Sequence, residues 1–143
     1  LLHVLGFEHS SNANNIMYPV SDCKQRIGQD IIDLLEKLYS VSSKSDLSFE
    51  NVSAVMRGKY LDVNMTIRNN GLADAGNSKI NIYADNKLVK EFDADAMKVG
   101  FGETIKLSNI WISQIGVDEL KFFIEYNSEE LDKNNNELIL NVK

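Results

Sequence analysis

The sequence predicts a mainly β fold: an antiparallel β-sandwich of about seven strands, preceded by a small segment of helix and loop. Two observations carry this prediction. Apolar residues recur at helical spacing before residue 42 and at every second position from residue 49 onward, and these two periods are typical of helix and strand. In the second part, turn residues separate the short apolar runs at regular intervals, which is the pattern of a sandwich.

The change of pattern predicts three regions, which are a helical and loop region over 1–41, a polar linker over 42–48 and a sandwich over 49–143. In the first region, Leu1–Leu5 have the apolar density of a buried helix end, and Gly6 is a natural stop for such a helix. Apolar residues at helical spacing predict an amphipathic helix from Gln29 to Tyr39.

The strand pattern is clearest over residues 61–67, where apolar and polar side chains alternate before the turn pair Asn70-Gly71. The pair Asp85-Asn86 predicts a tight hairpin between two further strands. Trp111 is expected in the core, because tryptophan is highly buried on average. The remaining strand candidates are Ser53–Met56, Lys79–Ala84, Lys87–Phe92, Thr104–Ile112, Leu120–Tyr126 and Glu137–Val142.

Composition narrows the classes of partner. The chain of 143 residues has a formal net charge of -6. This argues against nucleic acid, since neutralised phosphates supply most of that affinity, and against anionic membrane surfaces. The apolar runs are shorter than a membrane span requires. Cys23 is the only cysteine, so the chain forms no internal disulfide.

Two histidines flank a glycine near the start of the chain. His3 and His9 lie six residues apart and cannot share one face of a continuous helix. If the helix ends at Gly6, where a left-handed backbone costs little, the chain turns back and brings His9 toward a metal held by His3. Catalytic zinc takes three protein ligands and leaves one position open. The pattern therefore makes both histidines candidate zinc ligands.

The string from Leu1 to Ser10, followed by Asn15 to Pro19, resembles the metzincin motif HExxHxxGxxH with its methionine turn, and most closely the matrixin subgroup. The resemblance covers about the first 40 residues and implies specific roles. The matching positions are His3 (second zinc histidine), Gly6 (turn glycine), His9 (third zinc histidine), Met17 (floor beneath the metal) and Pro19 (end of the Met-Tyr-Pro turn).

The first histidine and the glutamate of that motif would immediately precede Leu1 and are not in this chain. Because that glutamate activates zinc-bound water, the resemblance implies a parent enzyme that cleaves proteins or peptides, and a fragment that is inactive and binds zinc weakly or not at all. The layer that would cover residues 1–40 is also missing. We expect these residues to self-associate, to pack on the sandwich or to stay poorly ordered.

From about Ser48 to Lys143 the chain resembles CARDB, the cell-adhesion-related domain of bacterial and archaeal surface proteins. The resemblance implies an Ig-like sandwich outside the cell that meets a cell-surface or protein ligand. The stretches that carry it are 63–71, 73–76, 82–85, 102–104 with Trp111, and 130–136.

The acidic residues Glu129, Glu130 and Asp132 lie beside three asparagines and offer oxygen ligands of the kind that calcium prefers. Their spacing fits no EF-hand, so a solvated acidic loop is the favoured interpretation.

The sequence as a whole supports two alternative functions for the chain. One is the C-terminal part of a secreted zinc endopeptidase with an appended interaction domain. The other is a non-enzymatic adhesion or protein-interaction module at the cell surface.

Overall fold

The structure is a computed structural model that describes residues 2–142. Leu1 and the side chain of Leu2, which the sequence assigns to a helix end and to a self-associating surface, lie outside the described residues. The chain divides into two compact units, Leu1–Ser42 and Ser43–Lys143. The helices within residues 2–142 are all too short or too polar to cross a bilayer.

The first unit is organised by helix α1, which spans Gln29–Tyr39 as its apolar spacing predicts. The helix begins after the N-cap Gly28, whose backbone is extended (φ −77°, ψ 161°). Asp30 in the first turn and Lys37 in the last turn both complement the helix dipole. The small apolar cluster of this unit consists of Phe7, Met17 and Ile31, with Leu35 partly buried against it.

The start of the chain differs from the prediction. Leu2–Leu5 form a 3-10 turn rather than the end of a buried α-helix, and Val4 and Leu5 are 85% and 51% exposed. The turn closes where the N–H of Gly6 donates to the carbonyl of His3 at 3.0 Å. Four residues are too few for an α-helical ladder, whose first turn is costly to form, so the shorter i to i+3 bond is made instead.

The second unit is an antiparallel sandwich, which confirms the predicted fold class. Its first sheet has the strand order β1-β2-β5 and its second sheet the order β4-β3-β6-β7, with antiparallel pairing throughout the two sheets. The strands are β1 (Leu47–Arg57), β2 (Tyr60–Asn69), β3 (Ser78–Ala84), β4 (Lys87–Ala94), β5 (Gly102–Trp111), β6 (Glu119–Glu125) and β7 (Glu137–Asn141).

The core of the sandwich lies between the inward faces of the two sheets. In β2, the alternating side chains Val63, Met65 and Ile67 are at most 3% exposed. From the other sheet, Ile80 of β3 and Phe122 of β6 are fully buried in the same cluster. Burial of alternate residues from both sheets is what holds such a sandwich together.

One strand boundary agrees with the sequence prediction and another differs from it. Between β3 and β4, Asp85 and Asn86 both have positive φ (44° and 65°), which confirms the predicted tight hairpin, because a type I′ turn requires left-handed backbone at both central positions. At the other boundary, β1 begins at Leu47. Leu47 and Ser48 are buried, so the last two residues of the stretch predicted as linker are strand.

The sequence analysis expected Trp111 in the core, but in the structure it lies at the surface. Its side chain is 59% exposed, whereas Ile112 is fully buried. The pairing of β2 with β5 shifts register between Leu61 and Val63, and Asn109 there has φ 58°. Beyond this bulge Ile110 is partly buried against the core, so the alternation of the strand leaves the ring of Trp111 on the outer face.

The turn after β2 is held by one buried amide. Asn69 is fully buried, and its Oδ1 accepts the N–H groups of Asp46 at 3.1 Å and Gly71 at 3.0 Å. Its Nδ2 donates to the carbonyls of Ala73 at 2.9 Å and Met97 at 3.1 Å. A single side chain therefore satisfies four backbone groups, which fixes three loops against each other.

Candidate functional site

The structure brings the two histidine rings together. The ring centroids of His3 and His9 lie 4.8 Å apart, with an angle of 80° between the ring planes. Gly6, between them, has φ +84°, a conformation that glycine adopts without the steric cost paid by other residues. The reversal of the chain at this glycine is what allows residues that are six positions apart to meet.

A backbone carbonyl orients His3. Its Nδ1 lies 2.8 Å from the carbonyl oxygen of Phe7, which accepts the bond when Nδ1 carries the proton. In that tautomer Nε2 keeps its lone pair. This is the arrangement that commonly orients an imidazole for metal binding through the other ring nitrogen. Both histidines are exposed, so a metal ion in solvent has access to them.

Met17 lies in the core of the first unit. It is 6% exposed and packs with Phe7 and Ile31. Its N–H donates to Oδ1 of Asn15 at 2.8 Å, and its carbonyl accepts the N–H of Ser10, the residue after His9, at 2.9 Å. The turn that contains Met17 is therefore bonded directly to the segment that carries the second histidine. Pro19, later in the turn, is exposed.

Asn15 and Asp30 connect this turn to α1, and sequence reasoning missed both. Asn15 is fully buried, and its Nδ2 donates to Oδ1 of Asp30 at 2.6 Å. The other carboxylate oxygen of Asp30 accepts the hydroxyl of Ser10 at 2.9 Å. Acidic residues are common in the first turn of a helix, because the helix dipole favours negative charge there. The position of Asp30 in the sequence therefore gave no indication that it bonds Asn15 and Ser10.

The donor set at the histidine pair is small. Within residues 2–142, no three His, Cys, Asp or Glu side chains are grouped so as to hold a metal ion, and the whole chain contains only two histidines. The pair offers two nitrogens, fewer than the three protein ligands of a catalytic zinc site.

The acidic loop before β7 uses its carboxylates as hydrogen-bond acceptors. Glu130 is 7% exposed; its Oε1 accepts the N–H of Leu47 at 2.8 Å, and its Oε2 accepts Nδ2 of Asn136 at 2.5 Å. Asp132 accepts both the backbone and the side-chain N–H groups of Asn134. The carboxylates of Glu130 and Asp132 thus accept hydrogen bonds from the protein itself. Calcium binding by this loop stays a prediction.

Glu129 of the same loop is exposed and pairs with Lys44 at 2.8 Å. The hydrogen bond from Lys44, together with its positive charge, lowers the pKa of the Glu129 carboxyl below the ordinary 4.5. This pair joins the segment before β1 to the segment before β7 at the surface.

The family model for CARDB matches residues 44–139. The chain belongs to the CARDB family. The matched range is the β-sandwich, and His3, Gly6, His9 and Met17 precede it. The match therefore accounts for the sandwich and supports no metalloprotease assignment for residues 1–41.

Among solved structures, the CARDB domain of a Pyrococcus furiosus protein in complex with di-metal ions is similar, with a TM-score of 0.58 and 17% identity. The similarity covers 69% of this chain and 87% of that one, and at this identity it shows the CARDB fold alone. β-Glucosidase 3B from Thermotoga neapolitana in complex with glucose has a TM-score of 0.44 and 14% identity, over 68% of this chain and 16% of that one. No curated protein matches the chain.

Proposed function

We propose that this CARDB sandwich is a non-enzymatic interaction module of an extracellular or cell-surface protein. The observation that carries the proposal is the CARDB match over residues 44–139, because this family is an Ig-like interaction domain without a catalytic motif. The partner is a cell-surface or protein ligand.

Exposure on intact cells tests the location. The source cells carry an epitope-tagged copy of the protein, and protease is added outside. We expect the epitope to be degraded while a cytoplasmic marker stays intact; protection of the epitope until the cells are lysed contradicts an extracellular location. Binding is tested separately, as the saturable retention of the purified chain on isolated cell envelopes. An absence of retention contradicts the interaction role.

A second proposal concerns residues 1–41, which derive from the C-terminal half of a matrixin-like zinc endopeptidase domain. It is supported by the approach of His3 and His9 around Gly6, by the carbonyl that orients His3 and by the buried Met17 bonded to the segment after His9. In such a parent, zinc would supply Lewis acidity and an activated water for cleavage of protein or peptide substrates.

The chain itself is proposed to be inactive, since two histidines supply too few zinc ligands and the chain carries no HExxH motif. The purified chain, incubated with zinc and a quenched-fluorescence peptide library, is expected to show no hydrolysis. Chelator-sensitive hydrolysis that disappears in His3→Ala and His9→Ala contradicts this. The comparison with the two variants excludes a contaminating protease.

Zinc binding tests the ancestral site without relying on activity. A competition dye measures zinc affinity of the full chain and of variants. We expect weak binding that falls by about tenfold or more in His3→Ala and in His9→Ala, because each removes one ligand. Glu8→Ala is the matched control, since Glu8 lies between Gly6 and His9 and is exposed. Unchanged affinity in both histidine variants would overturn the assignment of the ligands.

Self-association is proposed for the first unit. Leu34 and Leu38 on α1 are 50% and 54% exposed, and Leu5 is 51% exposed. With Gly6, Phe7 and Glu8 they line a cavity of about 360 Å³. Apolar surface of this kind tends to be covered by a partner. Light scattering is expected to show dimers that Leu34→Glu with Leu38→Glu converts to monomers. A monomeric wild-type chain at high concentration contradicts the proposal.

A further inference from the structure

The outer face of the sheet β1-β2-β5 carries an exposed aromatic pair. Tyr60 and Trp111 are register partners across β2 and β5, and they are 50% and 59% exposed. Register partners in an antiparallel pair project on the same side of the sheet, with Cβ atoms about 5 Å apart. Two neighbouring rings of this size are costly to leave in water, and tyrosine and tryptophan are enriched at binding sites.

A shallow groove lies on the same face, and its wall combines apolar surface, including that of Val55, with polar side chains. On β2, Asp62 and Asn64 follow Tyr60 at alternate positions, and Lys106 on β5 is the register partner of Asn64. The groove has a volume of about 210 Å³, below the roughly 300 Å³ of pockets for drug-sized ligands. It therefore has room for a single ring-sized group. The polar side chains in its wall are Ser53, Asp62, Asn64, Lys106 and Ser108.

The groove offers both donors and acceptors. The amide of Asn64 and the hydroxyl of Ser108 each donate and accept hydrogen bonds, and the ammonium of Lys106 donates. A ligand that is complementary to this surface needs flat apolar faces for the rings and a rim of hydroxyl groups for the groove. A pyranose ring has both, since its C–H bonds form an apolar face and its hydroxyls lie around the edge.

The charge of this face is opposite to that of the whole chain. Its two carboxylates are already paired, because Asp62 bonds Arg57 and Glu50 lies 3.2 Å from Arg68. Within residues 2–142, Lys106 takes part in no ion pair. The face is therefore net positive, while the chain has a net charge of -6. Its cations are Arg57, Arg68 and Lys106, and its anions are Asp62 and Glu50. A ligand with carboxylate groups is therefore favoured here.

We propose that this face binds an acidic polysaccharide: one sugar ring stacks on Tyr60 and Trp111, and the carboxylate and hydroxyl groups of a uronate further along the same polysaccharide bond Lys106, Asn64 and Ser108. The inference rests on the proposed interaction role and names its partner. Single-stranded nucleic acid also stacks on aromatic rings. It is disfavoured because its affinity depends on neutralising several phosphates, whereas Arg57 and Arg68 on this face are already paired and leave Lys106 for the ligand; the mixed donors and acceptors of the groove suit a ligand rich in hydroxyl groups.

Trp111 is the only tryptophan of the chain, so its fluorescence reports on this face directly. The full chain is titrated with oligogalacturonate, with neutral cello-oligosaccharides and with oligothymidylate. We expect saturable changes in emission with oligogalacturonate, at an affinity about tenfold higher than for the neutral sugar, since charge-assisted hydrogen bonds are the stronger ones. Added salt is expected to reduce this preference.

Variants assign the binding to named residues. Lys106→Gln is expected to reduce the affinity for oligogalacturonate to that for the neutral sugar, about tenfold, as measured by fluorescence. Calorimetry on Trp111→Ala is expected to show no binding, and Trp111→Phe, which keeps a ring, is expected to bind more weakly than the wild type. Phe101→Ala is the matched control, because Phe101 is 65% exposed and lies outside β5 and this face. Circular dichroism confirms that each variant folds.

Four results overturn the proposal: no saturable binding of oligogalacturonate, unchanged binding by Trp111→Ala, equal or tighter binding of the neutral sugar, or oligothymidylate binding of equal strength. Envelope retention separates this failure from failure of the proposed function. If the wild type and Trp111→Ala are retained equally while no oligosaccharide binds, the interaction module stands and this face is not its site. If neither is retained, both proposals fail.

Discussion

The backbone N–H of Leu47 donates to a carboxylate oxygen of Glu130, 83 residues later in the chain, at 2.8 Å. Both residues are buried, at 1% and 7% exposed. The second oxygen of Glu130 holds Asn136, and Asn135 donates to Asp46 at 2.9 Å. The beginning of β1 and the segment before β7 are therefore joined by a buried network around one carboxylate.

Removing this carboxylate is expected to destabilise the sandwich. Glu130→Ala leaves the buried N–H of Leu47 and the amide of Asn136 without acceptors, and we expect a loss of about 3 kcal/mol in the free energy of unfolding. Glu130→Gln keeps one oxygen for Leu47 and is expected to cost less. Urea denaturation measures both. A Glu130→Ala variant within about 0.5 kcal/mol of the wild type would contradict the role of the network.

Gly71 is predicted to tolerate no side chain. A Cβ at this position would lie 2.5 Å from three backbone atoms of Lys44, Ser45 and Asp46. Gly71→Ala therefore forces the two segments apart, and we expect a cost of about 1–3 kcal/mol, as for other overpacked sites. Gly76→Ala is the matched control, since the nearest atom to a Cβ at Gly76 would be the hydroxyl oxygen of Tyr126 at 3.9 Å, an ordinary van der Waals distance. Equal unfolding free energies for the two variants would show that the segments separate easily.

Asp30 is predicted to hold the histidine segment in place. Asp30→Ala leaves the buried amide of Asn15 and the hydroxyl of Ser10 without their acceptor. We expect local stability to fall by about 1–3 kcal/mol, seen as faster hydrogen exchange of the Met17 N–H, and zinc affinity to fall as well. Asp33→Ala, on the same helix and exposed, serves as the control. Unaltered exchange in the Asp30 variant argues against this role.

The ion pair of Lys44 with Glu129 predicts a pH dependence. Because Lys44 lowers the pKa of the Glu129 carboxyl below 4.5, its contribution to stability is fully present above about pH 4.5 and is lost as the pH falls through the lowered pKa. The stability difference between the wild type and Lys44→Met is expected to shrink on acidification. The pair is exposed, so the effect is small and salt-sensitive. In the Glu129→Gln background the difference should not change with pH over this range.

The sequence predicted those features that depend on local pattern. The bounds of α1 follow from apolar spacing, and the hairpin at Asp85-Asn86 follows from residues that tolerate left-handed backbone. Trp111 was misplaced because the β2–β5 pairing contains a bulge, which changes the face of the sheet on which the following residues lie. Nothing in the local sequence pattern indicates this bulge. The start of β1 at Leu47 was missed because the partners of Leu47 lie far along the chain: it pairs with Asn69, and its N–H bonds Glu130.

The same distinction applies to the candidate sites. His3, Gly6 and His9 were found because their spacing is local and their chemistry is specific. Asn15 and Asp30 were missed because their bonds to each other and to Ser10 span 15 and 20 residues. The aromatic pair on the sheet could not be predicted either, since it depends on which strands are neighbours and in which register.

The bond between Leu47 and Glu130 also has a consequence for synthesis. Residue 47 is added to the chain 83 residues before its buried partner, which is roughly 4–17 s at rates of about 5–20 residues per second. During that interval the beginning of β1 has a backbone donor without its acceptor. This bond therefore forms only after residue 130 has emerged from the ribosome, and the nascent chain is most in need of protection by chaperones before then.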